Sequence, residues 1–107
     1  LWPSNWGEWL GDPANLRIMH VVGDSMEPTL RDGDIVLVDM GRAVPTPPGV
    51  FVLHDGIGLV AKRLEHIPNS DPPVMHVISD NKTYSAYERT ADEVNIVGRV
   101  RWFAREI

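Results

Sequence analysis

The strongest constraint on this chain is its punctuation. Six runs rich in apolar and β-branched residues, "LRIMHVV" (16–22), "DIVLVD" (34–39), "GVFVLHD" (49–55), "GLVAKRLEH" (58–66), "VMHVIS" (74–79) and "VNIVGRVRWFA" (94–104), are separated by "DGD", "PTPPG", "HDGIG", "IPNSDPP" and "SDNKTYS". The runs are strand-length, and the breaks are built from Gly, Pro, Asp, Asn and Ser, the residues that turn a backbone. A chain broken so regularly predicts a mostly β fold, a small barrel or sandwich of short, mainly antiparallel strands with little helix. Asp55-Gly56 predicts a hairpin between its two flanking runs. Gly98 predicts a bulge or bend inside the last strand. One short helix is expected near the start, where Ser4 or Asn5 can cap, Trp6, Trp9 and Leu10 follow at helical spacing, and Gly11 and Pro13 end it.

With 107 residues the chain is expected to be a single domain, 1–107, with one modest core. Its net charge of -5 argues against a nucleic-acid surface on this domain, because phosphate binding needs a basic patch. The absence of cysteine excludes disulfides, thiolate metal sites and a cysteine nucleophile, and fits a reducing compartment. No signal-peptide pattern and no long apolar run occurs, so a soluble, cytoplasmic protein is expected. No phosphate loop, metal cluster or nucleotide fingerprint appears, and no cofactor or metal is expected.

Ser25 sits in the tight stretch "GDSMEPT" between two strand-like runs. A serine there is a common turn residue, and a serine hydroxyl becomes a nucleophile only with a base beside it. His20, His54, His66 and His76 lie in or at the ends of strand-like runs, without the short spacing of paired metal ligands. The chain has two lysines. Lys82 falls in a polar loop and reads as solvated. Lys62 differs, because strand alternation puts it on one face with Val60 and Leu64, opposite Ala61, Arg63 and Glu65. A cation on an apolar face either reaches out to water or loses its charge, and a neutral amine is a competent base for a serine. Periodicity alone does not bring Ser25 and Lys62 together.

The ordered motifs do more. "GDSMEPTLRDGDIVLVD", then "VAKRL", "SDNKTY" and "NIVGRVRWF" resemble, from about Trp9 to Phe103, the C-terminal domains of the LexA and lambda-repressor family of self-cleaving regulators, above all the phage-repressor-like members. The resemblance implies a Ser-Lys dyad with Ser25 as nucleophile and Lys62 as general base, acting on the protein's own linker. It further implies a homodimer, a RecA filament as co-protease in an SOS-type response, and operator DNA bound only through an N-terminal helix-turn-helix domain absent from this chain. No Ala-Gly or Cys-Gly dipeptide precedes Ser25, so the chain is expected to begin after the scissile bond.

Two other readings stand beside it. Type I signal peptidases share a similar serine box and lysine box, but add a membrane anchor and a glycine-rich box where this chain has "SDNKTYS". A non-cleaving dimerisation or sensing module would keep the fold without using the dyad. For that module the last strand is informative, since alternation predicts Val94, Ile96, Gly98, Val100, Trp102 and Ala104 on one face and Asn95, Val97, Arg99, Arg101 and Phe103 on the other. Such a strand can pair with a second copy or lie inside the sheet. Trp2, Trp6 and Trp9 can form an exposed patch or pack in the core. Asp32 and Asp34 are expected to serve the "RDGD" turn, Glu27 and Arg31 to stiffen the serine turn, and Asp80 and Asn81 to support the site structurally.

Overall fold

The computed structural model describes residues 12–107, in which seven strands form one sheet. They are β1 (Leu16–His20), β2 (Ile35–Asp39), β3 (Gly49–His54), β4 (Leu59–Ile67), β5 (Val74–Ile78), β6 (Tyr87–Thr90) and β7 (Asn95–Ala104). All pairings are antiparallel, in the order β1-β2-β7-β3-β4-β5-β6, and the sheet does not close into a barrel. Among the described residues the helical segments are two 3₁₀ turns, Pro13–Asn15 and Ala91–Glu93. The helix expected around Trp6 and the cluster of Trp2, Trp6 and Trp9 lie outside the described residues.

The mostly β architecture is as the punctuation predicted, and β3 and β4 form the expected hairpin about Asp55-Gly56, with Gly56 at φ +96. Two departures have physical causes. Strand β1 stops at His20 rather than Val22, because Val21 leaves the ladder to exchange hydrogen bonds with the "RDGD" turn. Strand β6, "YERT", was not expected at all: it carries no apolar alternation, and its strand geometry comes from pairing with β5.

The core has two parts. Met26, Leu30, Val36, Val38 and Val52 form one cluster; Phe51, Leu53, Leu64 and Val77 form the other. Strand β3 serves both, Val50 and Val52 packing to the first and Phe51 and Leu53 to the second, which explains its unbroken apolar run. Each of these buried side chains contributes roughly 1.5–3 kcal/mol relative to exposure. On β4 the predicted alternation holds, with Val60 and Leu64 against the second cluster and Ala61 against the first.

Strict alternation fails on β7. The pairing with β3 shifts between Val52 and Leu53, so that Gly98 faces Val52 while Ile96 faces Leu53, and a second shift with β2 falls between Leu37 and Val38. In consequence Val94 and Ile96 pack on the second cluster, whereas Val97 and Val100 both pack on the first. Gly98 is required where the strands come closest: a Cβ there would lie 2.6 Å from the Asp39 carbonyl oxygen. β7 lies inside the sheet between β2 and β3, but β3 pairs with its first half and β2 with its second, leaving Val100–Ala104 paired on one side only among the described strands.

Candidate active site

The serine turn is anchored from both ends. Upstream, Val21 N–H donates to the Asp34 carbonyl and Gly33 N–H to the Val21 carbonyl, both at 2.8 Å. Gly23, at φ +88, then turns its N–H to the Asp32 carboxylate at 2.7 Å, a backbone conformation open to glycine and poor for other residues. Downstream, Met26 and Leu30, each 2% exposed, are pinned in the first cluster, with Glu27 N–H donating to Asp24 O and Leu30 N–H to Met26 O. Ser25 is thereby held half-buried between an exposed Asp24 and a buried Met26. It lines a cleft of about 180 Å³ whose walls include Met19, Val21, Val36, Val52, Val60 and Ala61.

That cleft borders the first part of β4. β5 pairs with β4 only from Arg63 to Ile67, so Leu59–Lys62 has β3 as its single partner among the described strands. Lys62 ends this half-paired stretch, and its ammonium donates to Ser79 Oγ at 2.8 Å and lies 5.7 Å from the centroid of the Tyr84 ring. Burial pulls its pKa below the ordinary lysine value of 10.5, while the charge of Asp55 pulls the other way.

The loop 79–84 joins the two residues. Asn81 donates its N–H to Ser25 O and its Nδ2 to Asp24 O, both at 3.0 Å, and the Tyr84 hydroxyl donates to Asp24 Oδ1 at 2.5 Å. Asp80 accepts from Arg63 Nε and Nη2 at 2.8 and 2.7 Å and from Thr29 Oγ1 at 2.5 Å, so one carboxylate ties the strand of Lys62 to the turn of Ser25. Arg63 holds the Asp80 carboxyl below its usual range, burial opposes this, and Thr29 adds to it. Ser25 and Lys62 thus flank one loop, each hydrogen-bonded to it; among the described residues Lys62 bonds to Ser79 rather than to Ser25.

The remaining residues singled out in the sequence fall elsewhere. Asp34 accepts from the Arg31 N–H and bidentately from Arg105, and Arg105 first, then the Arg31 amide, lower its pKa to about 2. Asp32 and Asp34 serve the turn, as expected, through Gly23 N–H and Arg31 N–H, and Asp34 in addition ties it to Arg105 near the far end of the chain. Asp80 and Asn81 do support the site, through the bonds above. His54 accepts from Gly56 N–H, His76 meets Glu65 at 3.2 Å, and no metal-holding cluster of His, Asp and Glu occurs among the described residues. Lys82 is exposed.

Sequence reasoning missed Ser79, Arg63 and Tyr84. What places Ser79 is register: β4 and β5 pair Arg63 with Ile78, which brings Ser79 across from Lys62. The seven-residue "IPNSDPP" break leaves that register open, so the sequence could not fix it.

No helix among the described residues is long and apolar enough to cross a membrane. A family model described as Peptidase S24-like matches residues 2–101. The chain is 30% identical over 89 residues to the 26 kDa repressor protein of Escherichia phage HK022, covering 80% of this chain and 36% of that protein. It is 27% identical over 93 residues to the repressor protein CI of Enterobacteria phage phi80, covering 87% of this chain and 38% of that one. The chain therefore spans little more than a third of the length of either repressor.

Proposed function

Since this chain belongs to the Peptidase S24-like family, we propose that it is the self-cleaving peptidase domain of a phage-repressor-like regulator, with Ser25 as nucleophile and Lys62 as general base. One observation carries this reading. Lys62 is a half-buried amine whose hydrogen-bond partner is a neutral hydroxyl, on the loop that also holds the Ser25 turn. Arg63 and Arg105 each meet a carboxylate, which stabilises the cation; the Lys62 setting instead favours the neutral amine that a serine nucleophile requires.

An extended peptide adds to the half-paired stretch Leu59–Lys62, its side chains entering the apolar cleft beside Ser25. Neutral Lys62 takes the proton from Ser25 Oγ as the oxygen attacks the peptide carbonyl carbon. The resulting oxyanion is held by backbone N–H groups of the turn; those of Ser25 and Met26 make no hydrogen bond among the described residues. Lys62 returns the proton to the departing amine, leaving an acyl-enzyme. Water, deprotonated by the same lysine, then hydrolyses the ester.

The peptide is the regulator's own linker, and its cleavage separates this domain from a DNA-binding helix-turn-helix, with a RecA filament accelerating the reaction. The domain also holds two copies together in the cell interior, through the half-paired Val100–Ala104 stretch where Trp102 and Phe103 are half-exposed. Alkaline incubation of the full-length gene product tests the chemistry: two fragments are expected from wild type and none from Ser25→Ala or Lys62→Ala. Fragments appearing at the wild-type rate in either variant overturn it. Sedimentation tests the pairing, a dimer that Trp102→Glu converts to monomer being expected.

A further inference from the structure

We propose that Ser79 is the positioning residue of Lys62, the side chain that fixes the direction of the amine relative to Ser25. The inference rests on the dyad reading and names a third participant in it. Ser79 is 5% exposed, immediately after β5, and its Oγ lies 2.8 Å from Lys62 Nζ. A buried hydroxyl needs a partner, and the hydrogen bond its side chain makes among the described residues is with this lysine.

The geometry suits a base more than an ion pair. A neutral amine has two N–H groups and one lone pair, and rotation about Cε–Nζ lets the lone pair point anywhere unless an N–H is tied down. Ser79 ties one down from across the β4–β5 pairing, while the Tyr84 ring, 5.7 Å away, closes a second direction and favours the ammonium formed after proton transfer. The acceptor is also uncharged. The neighbours in sequence, Arg63 on β4 and Asp80 on the loop after β5, form a carboxylate pair that raises the Arg63 pKa; a carboxylate in place of Ser79 would likewise hold Lys62 as ammonium, unable to act as base. The charged and titratable groups around Lys62 are Asp55, Tyr84 with its partner Asp24, and the Arg63–Asp80 pair.

The chain's lysine content makes the test direct. With Lys62 and the exposed Lys82 as the only lysines of these 107 residues, ε-labelled lysine in this chain gives two NMR resonances, one of them an internal reference. Removing the acceptor weakens the ammonium more than the amine, so Ser79→Ala is expected to shift the Lys62 titration to lower pH and to move the midpoint of the pH–rate profile of Ser25-dependent cleavage with it. Its plateau rate is expected to fall by about 10- to 100-fold, part of the ~10²–10⁴-fold that a general base contributes. Ser79→Thr, which keeps the hydroxyl, is expected to restore both. An unchanged titration in Ser79→Ala, or a rate loss that leaves the midpoint in place and that threonine does not rescue, overturns the proposal while the dyad stands. A Ser79-sensitive titration in a wild type that never cleaves removes the dyad itself, and with it any catalytic role for Ser79.

Discussion

Strand β4 is two different structures end to end. From Arg63 to Ile67 it is paired with β5, with β3 on its other side as far as Leu64, and its polar side chains meet polar partners: Arg63 with Asp80, Glu65 with His76. From Leu59 to Lys62 it has β3 on one side only, borders an apolar cleft, and ends in a lysine whose partner is a hydroxyl. The junction between the two halves is one peptide bond. The contrast separates a part whose polar side chains are matched by carboxylate or imidazole partners from a part that borders a cleft and whose lysine has an uncharged partner, the setting that the proposed reaction uses.

The sharpest way to break that contrast is Lys62 itself. Lys62→Ala is expected to lower Ser25-dependent cleavage by at least about 10²–10⁴-fold, measured as fragment yield against time. Lys62→Met should do the same with little net change in melting temperature, because it removes a cation that burial disfavours but leaves the buried Ser79 hydroxyl without its partner. A melting temperature lowered by Lys62→Met would place the lysine among the stabilising residues of the other half.

Arg63→Ala tests the matched half. It is expected to destabilise the fold by about 1 kcal/mol, since the bidentate geometry strengthens the pair and the partial exposure of Arg63 weakens it. The pH dependence has a definite sign. The Asp80 carboxyl is depressed below 3.8 in the fold, so the stability it supplies is complete above that value and is lost as pH falls through the depressed one. Acid titration of stability should show this loss in wild type and a smaller one in Arg63→Ala, where Thr29 is the remaining partner of the carboxylate.

Smaller effects are expected further from the junction. Leu59→Ser, at an exposed position on the cleft wall, should raise KM for an added linker peptide roughly 3- to 10-fold, as for ~1 kcal/mol of apolar contact, without changing the melting temperature. Glu65→Ala, on the solvated side of the other half, should change stability by no more than about 0.5 kcal/mol and leave cleavage unaltered.

The difference between the halves was only partly legible in the sequence. The break pattern marked out six of the seven strands, because Gly, Pro and Asp act locally on the backbone. β6 was invisible, since four polar residues become a strand only by pairing with β5. Alternation put Lys62 with Val60 and Leu64 correctly, because β4 runs without a register shift; the same rule misassigned β7, which has two. Face can be read from a period of two, whereas register across a long loop cannot. Ser79 therefore stayed hidden although both strands that bring it to Lys62 were recognised. Ser25 and Lys62 were linked by the resemblance of their motifs to a family, not by any physical signal between them.

Whether Lys62 is the base of the proposed reaction is tested by comparing two midpoints. One is the pH at which Ser25-dependent cleavage of the full-length product reaches half its plateau; the other is the titration midpoint of the Lys62 amine. The two are expected to coincide, below the ordinary lysine value of 10.5, with cleavage rising as one proton is lost. A cleavage midpoint that departs from the Lys62 titration, or that survives in Lys62→Ala, would contradict Lys62 as the base.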